Sequence, residues 1–121
     1  MAAKRKNTKP LDHKRLLEEC DEEHSFANRC LHVFIRETQT DMDGIAAALA
    51  GKDFQEIARL AHRIKGASAS IRAEFLQEKA TLLEGSAGTG NHADVDDCLA
   101  RLKLEFERFN QYIAALTKYP D

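Results

Sequence analysis

The sequence predicts an all-α fold, an antiparallel four-helix bundle with a short additional N-terminal helix. The two prolines, Pro10 and Pro120, lie near the chain ends, so no proline interrupts a helix in between. Good helix formers dominate the composition. Apolar residues recur at helical spacing in several segments, whereas no segment alternates as a strand would. Amphipathic helices joined by short loops favour an antiparallel bundle.

The 121 residues are enough for one domain with its own core. Residues 1–10 carry a basic run, and we interpret them as a disordered leader, because chain ends usually fray. An arm that binds nucleic acid or membrane is the less favoured alternative for this run. Residues 11–119 are predicted to form the helical bundle domain. The initial Met1 and the basic leader favour a free-standing protein.

The first two helices are predicted over about 11–20 and about 22–50. Leu11, Leu16 and Leu17 are the apolar contacts of the first helix. The second helix has an apolar stripe at 3.6-residue spacing, made of Phe26, Cys30, Val33, Phe34, Ile45 and Leu49. Polar residues (Glu37, Thr38 and Asp41) and Gly44 weaken the middle of this stripe, which leaves open a break near 38–44 in an otherwise continuous helix.

The third helix is predicted to follow Gly51, a typical C-terminal stop for the second. Asp53 is the candidate N-cap, and Glu56 lies three residues later, as in a capping box. The apolar stripe of this helix consists of Ile57, Ala61, Ile64 and Ser68.

A fourth helix is predicted over about 72–84, and a last helix over about 92–118. The fourth has Phe75, Leu76, Ala80 and Leu83 facing inward. The glycine-rich run over 85–91 between them is the clearest loop in the sequence. The last helix has a sustained apolar seam, formed by Val95, Cys98, Leu99, Leu102, Phe106, Phe109, Ile113 and Leu116.

His62 is the strongest functional candidate in the sequence. It lies one position off the apolar stripe of the third helix, about 100° around the helix axis. Lys65 and Gly66 follow three and four residues later, so they share its helix face. The lysine can neutralise an anion on the imidazole, and the glycine leaves space for a visiting molecule. Mid-helix glycine costs about 1 kcal/mol relative to alanine, so a purely structural helix has little reason to contain it.

The run from Leu60 to Glu84 resembles the histidine-containing phosphotransfer (HPt) domain of two-component phosphorelays. That family's pattern is H-x-x-K-G, then small residues, an apolar-Gly pair, and Leu-Glu on the next helix. The matching residues here are His62-x-x-Lys65-Gly66, Ala67-Ser68-Ala69-Ser70, Ile71 and Leu83-Glu84. Arg72 stands where the family usually has the glycine of the apolar-Gly pair. This departure concerns the turn between the two central helices more than the phosphorylation site.

The resemblance implies that His62 accepts a phosphoryl group from the aspartyl phosphate of one receiver domain and passes it to another receiver domain. Lys65 would be the charge partner of the phosphate, and Gly66 would provide access. Ser68 and Glu84 fall near family positions that line the site. The candidate partner-contacting residues are Ala58, Arg59, Leu60, Ala69, Arg72 and outward residues of the first helix.

Receiver domains of response regulators or hybrid histidine kinases are therefore the expected partners of a monomeric protein. Receiver domains, as a family, bring their own magnesium, so we expect no cofactor and no metal on this chain. The sequence contains no GxxxxGK[ST] loop for ATP phosphates. We therefore expect a phosphocarrier without ATP-dependent kinase activity.

Charge and cysteine content limit other classes of function. The formal net charge of -2 gives no electrostatic case for nucleic-acid binding, and no apolar run is long enough to cross a bilayer. Three cysteines, without a CxxC pair or a signal peptide, favour reduced thiols in a cytoplasmic protein. Cys30 and Cys98 lie on apolar stripes and are predicted to be core residues.

The alternative function is a helical-bundle adaptor or scaffold that binds a signalling partner without phosphate chemistry. It shares the fold, and it would explain Arg72 as a loss of relay geometry. A metal-carrying bundle is a weaker interpretation, because such sites need paired Glu-x-x-His elements. The sequence offers a single imperfect case, Asp21-Glu22-Glu23-His24.

Overall fold

The computed structural model describes residues 9–117, which form five α-helices and no strand. The helices are α1 (His13–Glu19), α2 (His24–Ala50), α3 (Phe54–Ser70), α4 (Glu74–Thr89) and α5 (His92–Thr117). The predicted all-α class is confirmed. Most of the predicted basic leader, residues 1–8, lies outside the described residues, as do residues 118–121.

Helices α2 to α5 form the bundle, and the short α1 packs against α2. α3 lies between α2 and α4, and α5 packs against both α4 and α2. The core contains the T-shaped ring pair of Phe34 and Phe109, whose centroids are 5.4 Å apart. Leu11 and Leu16 are buried, so the start of the described chain contributes to this core. Within residues 9–117, no helix combines the length and apolarity needed to cross a membrane.

α2 runs without interruption through 38–44, where the sequence left open a break. Its buried face also differs from the predicted stripe: Phe26 and Val33 are 44% and 49% exposed. Thr38 and Asp41, the polar residues that weakened the pattern, are buried instead. The buried residues of α2 are Ala27, Leu31, Phe34, Thr38, Asp41, Met42, Ile45 and Leu49.

Gly44 marks a close approach between α2 and α3. A Cβ atom at this position would lie 3.0 Å from Cδ1 of Leu60. The glycine that lowers the helix propensity of α2 therefore permits tight packing against α3. The two cysteines predicted as core residues, Cys30 and Cys98, are only partly buried at the edge of the core.

α4 continues to Thr89, so the predicted loop over 85–91 is wrong for most of its length. Ala87 is buried in the core and holds this last turn against the bundle. Packing therefore outweighs the low helix propensity of the glycines. The helix ends at Gly90, whose φ of 68° is the left-handed conformation that glycine adopts readily. Phe75, predicted to face inward, is half-buried, and the Arg108 guanidinium lies 4.8 Å from its ring centroid.

The start of α3 has the predicted N-cap, Asp53, but the Glu56 side chain does not complete the predicted capping box. The Asp53 side chain accepts a hydrogen bond from the backbone N–H of Glu56, at 3.2 Å. Glu56 itself directs its carboxylate to Arg59, which donates from Nε at 2.6 Å. Asp53 is therefore the N-cap, while Glu56 supports the first turns of α3 by an i,i+3 ion pair.

Candidate functional site

His62 lies on the outer face of α3, and 66% of its side chain is exposed. The buried residues of the same helix, Ile57, Ala61 and Ile64 among them, hold α3 against the core. This division fixes the backbone position of His62 while leaving its ring open to solvent. An exposed imidazole on a rigid helix is accessible to a macromolecular partner.

Glu84 of α4 connects His62 and Lys65. Its Oε2 lies 3.0 Å from Nδ1 of His62, and its Oε1 accepts a hydrogen bond from Nζ of Lys65 at 2.8 Å. The Lys65 ammonium and the His62 ring lower the pKa of the Glu84 carboxyl below its usual value. Glu84 is therefore a carboxylate at neutral pH, and a carboxylate can only accept a hydrogen bond.

The carboxylate of Glu84 determines which nitrogen of His62 is nucleophilic. In neutral imidazole one ring nitrogen carries the proton and the other has a free lone pair. Since Nδ1 faces an acceptor, the proton belongs on Nδ1 and the lone pair on Nε2. Nε2 is thus the nitrogen that can form a new bond.

The surface beside His62 is open at Gly66. A Cβ atom added to this glycine would have no atom within 4 Å outside its own helix. Ala58 and Ala69, which flank His62 on the same helix, are small and half-buried. A partner can therefore approach the imidazole closely on this side.

Arg59 and Arg63 place two further cations on α3 beside the histidine. Arg59 pairs with Glu56, as described above. Nη2 of Arg63 lies 3.5 Å from Oδ1 of Asp41 on α2. Burial raises the pKa of the Asp41 carboxyl, and the Arg63 charge opposes this shift. Arg63 was missed in the sequence, because nothing in the local pattern indicates a buried acidic residue on α2.

Two residues expected near the site are buried. Ser68 is fully buried, and its hydroxyl has no hydrogen-bond partner among the described residues. Leu60, expected to contact a partner, is 5% exposed and packs against α2 at Gly44. Both belong to the inner face of α3, so neither is available to a docked protein.

Arg72 lies at the turn between α3 and α4, away from His62. Its φ of 66° is the left-handed conformation, so an arginine makes the turn here that the motif assigns to glycine. Its carbonyl accepts a hydrogen bond from the backbone N–H of Asp12, at 3.0 Å. Its guanidinium donates from Nε to Glu19 of α1, at 2.8 Å. The structure thus links Arg72 to α1, whereas the sequence suggested a contact with a partner.

Comparisons with known proteins agree with the helical-bundle fold. The family model of the Hpt domain matches residues 29–112, more than half of the chain. The fold is similar to the crystal structure of histidine-containing phosphotransfer protein B from Pseudomonas aeruginosa PAO1, with a TM-score of 0.81 and 22% sequence identity. That match covers 94% of this chain and 100% of the other. A search of curated proteins found no match.

The family match spans the helix that carries His62 and the helix that carries Glu84. The bundle, the exposed histidine and the match to the family model lead to one assignment. The chain belongs to the Hpt domain family, whose members are phosphocarriers that act with receiver domains in histidine phosphotransfer.

Proposed function

We propose that this protein is a phosphorelay intermediate that carries its phosphoryl group on His62. It accepts the group from the aspartyl phosphate of one receiver domain and passes it to the aspartate of another. The observation that carries this proposal is the contact between His62 Nδ1 and the Glu84 carboxylate, on a ring that is otherwise exposed.

The transfer step follows from this contact. The lone pair on Nε2 attacks phosphorus in line with the phosphorus–oxygen bond of the aspartyl phosphate. That bond breaks, its electron pair leaves with the aspartate carboxylate, and a nitrogen–phosphorus bond forms. The proton stays on Nδ1, so the ring gains positive charge as the new bond forms. The Glu84 carboxylate stabilises this charge, which is greater in the transition state than in the ground state.

Lys65 supplies a cation to the same site. Its ammonium is held by Glu84 at 2.8 Å, on the face that also carries His62 and Gly66. A phosphoryl group on Nε2 brings negative charge to this face, and Lys65 can turn from Glu84 toward it. Phosphoryl transfer depends mainly on positioning and charge neutralisation, so the carrier needs little more.

The receiver domain supplies the rest of the machinery, including the magnesium expected from the family resemblance. The protein acts as a phosphocarrier and does not draw on ATP itself. Both the aspartyl phosphate and the histidine phosphate are high-energy linkages. Transfer is therefore expected to run in both directions.

A transfer assay with labelled receivers tests the proposal. Purified protein is presented to a panel of phosphorylated receiver domains from the same organism, and label on each protein is measured. We expect label on the wild type that is labile in acid and stable in base, and none on His62→Gln. His32→Gln is the matched control, since His32 is an exposed histidine on α2.

The same assay distinguishes the adaptor alternative. An adaptor would bind a receiver without gaining label. A His62→Gln variant that is labelled as strongly as the wild type would refute the assignment of His62.

A further inference from the structure

Arg59 lies on the outer face of α3, one helical turn before His62. Residues three apart on a helix differ by about 60° around the axis and about 4.5 Å along it, so Arg59 and Lys65 flank His62 from opposite sides. The hydrogen bond from Lys65 to Glu84 shows that Lys65 is on the side that faces α4. Arg59 is therefore on the side of His62 that faces away from α4.

The nucleophilic nitrogen of His62 is on this same side. Nδ1 and Nε2 are on opposite edges of the imidazole ring, and Nδ1 faces the Glu84 carboxylate of α4 at 3.0 Å. Nε2 therefore faces away from α4. Side chains of an α-helix also point back toward its N-terminus, so the His62 ring is directed toward the turn that contains Arg59. A phosphoryl group on Nε2 is thus formed on the Arg59 side of the ring, whereas Lys65 is held on the Nδ1 side.

The Arg59 guanidinium already binds an anionic group. Its Nε donates to Oε1 of Glu56 at 2.6 Å, and its Nη2 donates to Oε2 of the same carboxylate at 2.8 Å. These bonds use two of the five N–H groups of a guanidinium, so three remain for another oxygen ligand. The pair is exposed, with 56% of the Arg59 side chain and 38% of the Glu56 side chain open to solvent. Exposed ion pairs are weak, so Glu56 is a readily displaced ligand.

We propose that Arg59 binds the phosphoryl group on Nε2 of His62 and exchanges Glu56 for it. A phosphoryl group carries more negative charge than a carboxylate, and it presents three oxygens to the planar fork of N–H groups. Arg59 is then a second phosphate-binding cation, on the opposite side of the ring from Lys65. This inference rests on the proposed function and adds a residue that stabilises the phosphorylated state.

Arg63 is another exposed arginine near His62, but it is directed elsewhere. It lies one residue after His62, about 100° around the helix axis, and its Nη2 is 3.5 Å from Oδ1 of Asp41 on α2. Its guanidinium is therefore drawn toward α2 and away from the outer face of α3. Arg63 thus provides the comparison with a nearby positive charge that does not contact the phosphoryl group.

The test uses the full chain and phosphoramidate, a small phosphoryl donor that needs no docked protein. The lone pair on Nε2 attacks phosphorus, the phosphorus–nitrogen bond of phosphoramidate breaks, and its electron pair leaves with the nitrogen as ammonia. The variants are Arg59→Gln, Arg59→Lys, Glu56→Gln and Arg63→Gln. Arg101→Gln is the matched control, because Nε of Arg101 forms an exposed ion pair on α5 with Oδ2 of Asp97, at 3.0 Å.

We expect Arg59→Gln to lower the initial rate of labelling about fivefold, and Arg59→Lys to recover part of that loss, because lysine keeps the charge but lacks the fork. Glu56→Gln should raise the rate about twofold, because it removes the competing carboxylate. A merely structural role of the ion pair predicts instead that Arg59→Gln and Glu56→Gln lose rate equally. Arg63→Gln should lose less than about twofold, since solvent and salt screen a charge that makes no contact. Arg101→Gln should be labelled at the wild-type rate.

NMR gives a second readout that does not depend on the rate. The resonance of the Arg59 Nε–H should shift when the wild type is phosphorylated. The phosphorus resonance of the phosphohistidine should differ between wild type and Arg59→Gln, and it should be the same in wild type and Arg101→Gln. Urea unfolding of each variant checks that the bundle is intact.

Other outcomes overturn the inference. If Arg59→Gln is labelled at the wild-type rate, or if Glu56→Gln loses as much rate as Arg59→Gln, Arg59 does not bind the phosphoryl group. If Arg63→Gln loses as much rate as Arg59→Gln, the general positive charge of α3 acts on His62 and the specific contact is refuted.

Failure of the proposed function has a different signature. If phosphoramidate labels the wild type at a residue other than His62, the proposed function fails, and this inference fails with it. Label on His62 that is unaffected by Arg59→Gln removes only the role of Arg59.

Discussion

The carboxylate of Glu84 lies 3.0 Å from Nδ1 of His62, although the two residues are 22 positions apart on different helices. The contact orients the ring and places its proton on the nitrogen that faces the protein. Lys65 holds the other carboxylate oxygen, so Glu84 is fixed from both sides. The reactivity of His62 therefore depends on the packing of α3 against α4.

Replacing Glu84 by glutamine should slow phosphoryl acceptance by about tenfold, because the amide neither stabilises positive charge on the ring nor selects one tautomer. Single-turnover transfer from a phosphorylated receiver measures this effect. NMR of the ring nitrogens should show mixed tautomers in Glu84→Gln and mainly Nδ1–H in the wild type. An unchanged rate together with an unchanged tautomer would contradict the assigned role. Glu78→Gln, a carboxylate on the exposed face of α4, is the control.

Replacing Gly66 by glutamine should slow transfer from a receiver and stabilise the protein at the same time. The side chain obstructs the open surface beside His62, while glutamine is a better helix former than glycine by about 0.5–1 kcal/mol. Urea unfolding and receiver transfer measured on the same variant separate the two effects. Ala100→Gln on the exposed face of α5 should leave transfer unchanged. Wild-type transfer by Gly66→Gln would remove the argument that this glycine provides access.

Replacing Arg72 by alanine should destabilise the protein more than replacing it by glycine. Both changes remove the ion pair with Glu19, and both variants keep the left-handed backbone conformation at position 72. That conformation costs alanine about 1 kcal/mol and is readily adopted by glycine. Urea midpoints of the two variants provide the comparison. Both should accept phosphate normally, since the Arg72 turn lies away from His62. A large loss of transfer in Arg72→Gly would indicate a direct role at the partner surface.

Replacing Asp41 by asparagine should stabilise the protein at pH 7. Burial raises the pKa of this carboxyl above its usual 3.8, so the folded state favours the protonated form. The protonated Asp41 carboxyl therefore contributes to the free energy of unfolding below pH 3.8, and this contribution is lost as the pH rises through the pKa of Asp41 in the folded state. Arg63 offsets only part of the cost of the buried charge, at a contact of 3.5 Å.

Urea unfolding of wild type and Asp41→Asn between pH 3 and pH 7 measures this dependence. The advantage of asparagine should grow as the pH rises. A destabilised variant at pH 7 would mean that the pair with Arg63 outweighs the burial of the charge.

That the chain folds into α-helices could be predicted from the sequence, since the apolar periodicity of α3 and α5 is strong. The helical face of α2 could not, because Thr38 and Asp41 are buried by tertiary contacts that override their polarity. The end of α4 was mistaken for a loop for a related reason: Gly85 and Gly88 have low helix propensity, and the buried Ala87 compensates for it.

The site was predictable in part. The positions of His62, Lys65 and Gly66 on one face follow from helical spacing alone. Glu84 was indicated only weakly, by the family pattern, because its contact with His62 spans two helices. The exposure of Phe26 and Val33 depends on the exact rotation of α2 about its axis, and no signal in the sequence indicates it.

Gly44 and Gly66 are the same residue type, but a substitution should have a different consequence at each position. At position 44 an added Cβ atom would lie 3.0 Å from Cδ1 of Leu60, so a residue larger than alanine must displace the Leu60 side chain within the contact between α2 and α3, and we expect less folded protein in cells. At position 66 a larger residue meets open solvent and leaves the bundle intact. Substitutions there should give abundant protein that signals poorly, and a mutational scan that records both abundance and signalling would separate the two glycines.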